Sequence, residues 1–195
     1  MTNVINITNT DIAFDGYIIS NQIQSNAGSL SVGDGFSGGA TNRVTIFTDA
    51  FESGTLTGYS QAQGSAITGG NVISGTYSGE LEGVGSVAHI SKLIDTTGYT
   101  NIRVTFMVGV PASDRTDEGG DFLYSTNGGT TFICVAGYDN PTFDGRYTYT
   151  LAGAGNQTDI VLRWADGDFH DCFNAQGIDQ GEKFDIDEIG VSGKP

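Results

Sequence analysis

The sequence predicts an all-β protein, an antiparallel jelly-roll β-sandwich of about nine or ten strands. Three observations carry that prediction. Glycine supplies 30 of the 195 residues and proline only 3, so the chain turns often without being a proline-rich linker. Between clusters of Gly, Ser, Thr and Asn lie short runs of β-branched and aromatic residues, as in strands joined by tight turns. No stretch repeats its apolar residues at helical spacing. Asn101–Gly109 instead alternates, with Ile102, Val104, Phe106 and Val108 on one side and Arg103 and Thr105 on the other, the period of a half-buried strand.

Taken in order, residues 1–44 form an N-terminal extension rich in Gly, Asn and Ser, with short apolar runs at Val4–Ile7, Tyr17–Ile19 and Ser29–Val32. These are either edge strands of the sandwich or the last turns of a preceding domain. Residues 45–195 are the sandwich proper. Val44–Phe47 leads into a turn at Asp49–Gly54. Gly79–Leu81 and Ser86–Leu93 are strands parted by the Gly83/Gly85 region, and Asn101–Gly109 follows. Asp121–Ser125 and Thr130–Ala136 flank Thr126–Gly129, whose Asn-Gly-Gly is a hairpin signal. Arg146–Leu151, Asp159–Trp164 and Lys183–Val191 complete the set.

Charge narrows the partners. Eight Lys and Arg against 23 Asp and Glu leave a formal charge of −15. That surface repels phosphate backbones and anionic membranes, which excludes nucleic acid as a partner. No run approaches the roughly 18 apolar residues of a membrane span, so membrane insertion is excluded too. Met1–Thr10 is polar and lacks the basic-then-apolar order of a signal peptide. The chain therefore reads as part of a longer secreted or cell-surface protein, with that protein's other domains as partners.

The acids are the candidate chemistry. If Phe184 and Ile186 face the core, Asp185 and Asp187 point to the other side, about 7 Å apart along the strand. Asp49 and Glu52 bracket Phe51 just before a turn. A first and a last strand that both bring carboxylates can share a hard cation such as Ca²⁺, which takes six to eight oxygens. The competing reading is a solvated acidic face. A second cluster, Asp114, Asp117, Glu118 and Asp121, is a further ion site, a ligand-facing loop or an ordinary polar loop. A third, Asp166, Asp168, His170 and Asp171, starts like an EF-hand but lacks Gly at the sixth position and Glu at the twelfth, which rejects that motif. Its loop suits recognition, with Asp168 and His170 as candidate ligand-binding residues.

His170, Asp171 and Cys172 are neighbours in sequence, whereas a catalytic thiol needs groups converging from separate elements, so thiol catalysis is set aside. Cys134 and Cys172 permit one disulfide or two separate buried thiols. Among the rings, Trp164 continues the Ile160–Leu162 face and belongs to the core. Tyr138, beside Asp139 and Asn140, is the candidate exposed ring for stacking on a sugar, with Asp139 and Asn140 supplying hydrogen bonds.

FESGTLTGY near the start, YSTNGGTTF at Tyr124–Phe132 and LRWADGD…FDIDEIGVSG at the end resemble, in that order, secreted jelly-roll modules of the MAM-like and galactose-binding-like carbohydrate-binding kind. The resemblance covers roughly Ile46–Gly193. Tyr59 and Phe132 stand where Trp is usual, and Glu188 replaces the second Asp of an Asp-Asp pair. The resemblance implies a structural Ca²⁺ held by Glu52 and Asp187, joined by Asp49 and Asp185. It implies a non-catalytic, calcium-stabilised accessory domain of a secreted or cell-surface bacterial protein, for binding or adhesion, with glycan as the leading ligand class. The alternatives are a metal-dependent hydrolase using the acidic loop clusters and a structural spacer.

Overall fold

The computed structural model describes residues 43–61, 64–70, 72–82, 88–109, 119–139, 145–166 and 183–195. The extension expected at residues 1–44 therefore lies outside the described residues except for its last two. Eleven strands are described: β1 Val44–Asp49, β2 Ser60–Gln61, β3 Ser65–Thr68, β4 Ser78–Glu82, β5 His89–Ile94, β6 Thr100–Gly109, β7 Gly119–Ser125, β8 Ile133–Asp139, β9 Gly145–Thr150, β10 Ile160–Asp166 and β11 Lys183–Lys194. They form the predicted antiparallel sandwich. β2 and β3 are additional to the expected set, because strands of two and four residues carrying mostly Ser, Gln and Thr have no apolar alternation to betray them.

One sheet has six strands in the order β3-β4-β11-β6-β9, with β1 also paired to β11, and the other has five in the order β2-β5-β10-β7-β8. Both rest on alternation. In β6, Ile102, Val104, Phe106 and Val108 are buried, as the period of two requires. From the opposite sheet come Ile90, Phe122, Tyr124, Ile160, Leu162 and Trp164. Phe106 meets the Trp164 edge at 5.3 Å between ring centroids, and Phe122 stacks on Trp164 at 5.3 Å. Such aromatic pairs add about 0.5–1.5 kcal/mol each beyond the area they bury.

β11 positions the site because it changes partner along one edge. Lys183–Ile186 pair with Glu82–Gly79 of β4, whereas Ile189–Gly193 pair with Asp49–Val44 of β1. Asp187 and Glu188 fall at the junction, where neither β4 nor β1 supplies a ladder partner. On the other edge the register with β6 shifts between Asp187 and Gly190. The bulge is centred on Glu188, whose φ of 49° is the left-handed region that non-glycine residues seldom adopt.

Candidate ligand cleft

The turn after β1 is built by its own carboxylate. Phe51 has a φ of 57°, and its N–H donates to Asp49 Oδ1 at 2.7 Å, an Asx turn that stabilises the reversed backbone. Asp49 Oδ2 accepts from the Tyr59 hydroxyl at 2.9 Å. Burial of that phenol, with the Asp49 charge beside it, pushes the Tyr59 pKa far above its ordinary value. The Phe51 ring is fully buried and anchors the turn, so the next residue, Glu52, projects outward.

Glu52 reaches across to the β3–β4 loop. Its Oε1 accepts the N–H groups of Thr76 at 2.7 Å and Tyr77 at 3.2 Å. These backbone bonds favour the charged form and hold the Glu52 carboxyl below its usual pKa. The carboxylate lies against Gly75, whose φ of +65° is the left-handed conformation that glycine adopts freely.

Asp187 grips the same loop from below. Oδ2 accepts the Ser74 N–H at 3.0 Å and the Ser78 hydroxyl at 3.1 Å, and Oδ1 accepts the Glu188 N–H at 2.6 Å. The residue is fully buried. Desolvation is the largest influence on it and raises its pKa against the lowering effect of those bonds. Its neighbour moves the opposite way. Glu188 Oε2 pairs with Arg146 Nη2 at 3.0 Å, and its Oε1 accepts from the Ser74 hydroxyl at 3.0 Å. The Arg146 bond leads in lowering its pKa.

Between these elements a cleft of about 460 Å³ opens on the outer face of the six-stranded sheet. Its floor is the row Thr48, Gly190 and Thr105, which face one another across β1, β11 and β6. The turn residues Asp49, Glu52 and Ser53 form one wall, and Arg146 with Glu188 forms the other. Gly190 keeps the floor low, since the nearest atom to a Cβ there is the Thr105 carbonyl oxygen at 4.0 Å. The volume is within the usual range for small-ligand sites, and donors and acceptors face one another across it.

The four carboxylates expected to share one calcium ion are not brought together. Asp49 closes its own turn, Glu52 and Asp187 hold loop amides, and Asp185 is buried on the outer face between Glu80 and Gly109. Among the described residues, no three carboxylate, imidazole or thiol groups gather as a metal site. A carboxylate oxygen that accepts one N–H keeps a further lone pair, so the shared ion remains a proposal, and no role is derived through one. Glu52 and Asp187 do hold one segment, Ser74–Ser78, through its N–H groups and the Ser78 hydroxyl.

Tyr138 corrects a second expectation. It is 1 % exposed, stacks near Phe184 at 5.9 Å, and donates its hydroxyl to Tyr149 at 2.9 Å. It faces inward because it pairs with Gly120 in β7, next to the inward Phe122; it is core, and no sugar reaches it. Asp139 ends β8. Asn140, Asp168, His170 and Cys172 lie outside the described residues, as do Asp114, Asp117, Glu118 and Asp171, while Asp121 is buried on β7. Cys134 is disulfide-bonded, and the sequence holds one other cysteine, Cys172. Arg146, Gly190 and Thr105 were not singled out from sequence. The one signal was Glu188, the departure from the Asp-Asp pair.

No family model matches the sequence, and no curated protein does so either. Solved structures do. The CBM22-1 xylan-binding domain of Paenibacillus barcinonensis Xyn10C superposes with a TM-score of 0.55 at 15 % identity, covering 80 % of this chain and 99 % of that one. The K3 cleaved adhesin domain of Lys-gingipain from Porphyromonas gingivalis gives 0.54 at 12 % identity, covering 77 % and 98 %. A Clostridium thermocellum xylanase 10B chain containing CBM22-1 and GH10 modules, complexed with xylohexaose, gives 0.55 at 13 % identity, covering 77 % of this chain and 28 % of that one. The fold is that of carbohydrate-binding and adhesin β-sandwich modules. At these identities the likeness fixes architecture, and function must be argued from the site.

Proposed function

We propose that this chain is a non-catalytic module that binds a glycan in the cleft between Glu52 and Arg146, serving attachment or adhesion for a longer secreted or cell-surface bacterial protein. The observation that carries the reading is the cleft itself, with hydroxyls on its floor, a carboxylate on one wall and a carboxylate-guanidinium pair on the other. A sugar hydroxyl both donates and accepts, and adjacent hydroxyls match the paired oxygens of a carboxylate and the N–H fork of arginine. Solved modules of this fold include one that is xylan-binding and one complexed with xylohexaose, which supports carbohydrate as the ligand class.

Gly190→Val tests the reading. The added side chain fills the cleft floor while its Cβ meets nothing closer than 4.0 Å, and a β-branched residue suits a strand. On a panel of neutral polysaccharides, the wild type is expected to retain at least one, and the variant to lose about tenfold or more of that affinity with an unchanged melting temperature. A wild type that binds no glycan, or a variant that binds as well as wild type, contradicts the proposal.

A further inference from the structure

We infer that Glu188 determines specificity in the cleft, by neutralising Arg146 so that neutral glycans are accepted and acidic ones, carrying uronate or sulfate, are refused. This rests on the proposed glycan reading and names the class of glycan. An unpaired arginine in a cleft would be a ready receptor for a carboxylate or sulfate. Here the guanidinium is already engaged by Glu188 Oε2 at 3.0 Å, and both side chains stay partly exposed, at 51 % and 36 %. Asp49 and Glu52 stand on the facing wall, and the whole chain carries −15. An acidic sugar entering the cleft therefore meets carboxylates on both sides and no uncompensated cation. That is discrimination by repulsion of the wrong ligand, which needs no added attraction for the right one.

Backbone conformation points to the same residue. Glu188 holds a φ of 49° at a bulge, and Phe51, which aims the opposite wall, holds 57°. Glycine would adopt either conformation freely, so the side chain at 188 comes with a strained backbone. Strain of this kind concentrates at functional sites. What the side chain does is visible. Oε1 takes the Ser74 hydroxyl at 3.0 Å, which fixes the carboxylate, and Oε2 takes Arg146. Arg146 in turn lies on β9, the edge strand of its sheet, where nothing but Glu188 and the Met107 sulfur at 3.6 Å bonds its Nη2 among the described residues.

The test compares the neutral oligosaccharide that the wild type binds with the same oligosaccharide bearing a uronate, by calorimetry. The wild type is expected to favour the neutral form by about tenfold or more at low ionic strength. Glu188→Gln keeps the side-chain length and frees the arginine charge, so that preference is expected to shrink by about tenfold or to reverse. A second readout uses no variant: raising salt from roughly 10 mM to 1 M shortens the Debye length from about 30 Å to about 3 Å, and the wild-type preference is expected to collapse. A preference that survives both Glu188→Gln and high salt overturns the inference while leaving glycan binding standing. A wild type that binds acidic glycans as well as neutral ones also overturns it. Absence of any glycan binding sinks the functional reading and the inference together.

Discussion

The two outer faces of the sandwich obey the same alternation and end up chemically opposed. On the six-stranded sheet the outward residues of the first half of β11 are Asp185 and Asp187, and both are buried, Asp187 beneath the β3–β4 loop that it holds by hydrogen bonds. On the five-stranded sheet the outward row Ser91, Arg163 and Leu123 runs across β5, β10 and β7. There Arg163 stacks on Phe132 at 3.9 Å and donates to Ser91 at 2.8 Å, Leu123 and Ala165 are buried, and Cys134 on the adjoining strand is in a disulfide. One face is polar and fastened by carboxylates, and it carries the cleft over β1, β11 and β6. The other is fastened covalently and by apolar contact. Alternation says which side a residue takes, and what lies over that side decides its chemistry.

The contrast can be broken from either face. Breaking the disulfide should act most strongly: closing a loop of this span contributes about 4 kcal/mol in the chain-entropy model. Cys134→Ser is expected to lower unfolding free energy by about 2–4 kcal/mol in urea titrations while leaving cleft affinity unchanged. Asp187→Ala removes the acceptor of three donors, from Ser74, Ser78 and Glu188, and at about 1 kcal/mol or more for each donor left bare it should destabilise by about 3 kcal/mol. That loss should be equal in calcium and in chelator, because the donors are N–H and O–H groups of the protein. A loss confined to calcium buffer would restore the shared-ion reading. Arg163→Met, on the other face, should cost about 1 kcal/mol through loss of the Phe132 ring contact and the Ser91 hydrogen bond.

The smallest effect is electrostatic. Glu188 has its pKa lowered from 4.5, so its contribution is present above that value and fades as pH falls through the folded-state pKa. Asp187 carries the opposite sign. Its raised pKa means that the folded state binds the proton more readily, so its ionisation weakens the fold as pH rises from 3.8 through the folded-state pKa. Stability of wild type and Glu188→Gln should accordingly converge as pH falls through the folded-state pKa of Glu188, with the difference restored above 4.5, measured by thermal melts across the acid range.

Much of this was legible. The period of two in Asn101–Gly109, the Asn-Gly-Gly hairpin and the inward Phe184 and Ile186 placed the sheets. What the acids of the first and last strands bind was not legible. Carboxylates chelate an ion or accept backbone N–H groups with the same oxygens, and nothing in the residue types distinguishes these. Choosing required knowing that residues 72–77 fold over β11. Tyr138 misled because an aromatic beside Asp and Asn reads as loop, whereas its pairing with Gly120 turns the ring inward. Arg146 and Gly190 were invisible because the cleft joins residues far apart in the chain, from Thr48 to Gly190, carried on β1, β6, β9 and β11.

The claim that the six-stranded sheet bears the working face is best tested by amide chemical shifts of labelled protein titrated with the neutral oligosaccharide it binds. The account predicts perturbations at Thr48, Glu52, Thr105, Arg146, Glu188 and Gly190, with Ser91, Leu93 and Arg163 unmoved. Perturbations gathered on Ser91, Leu93 and Arg163, with the cleft residues silent, would contradict it.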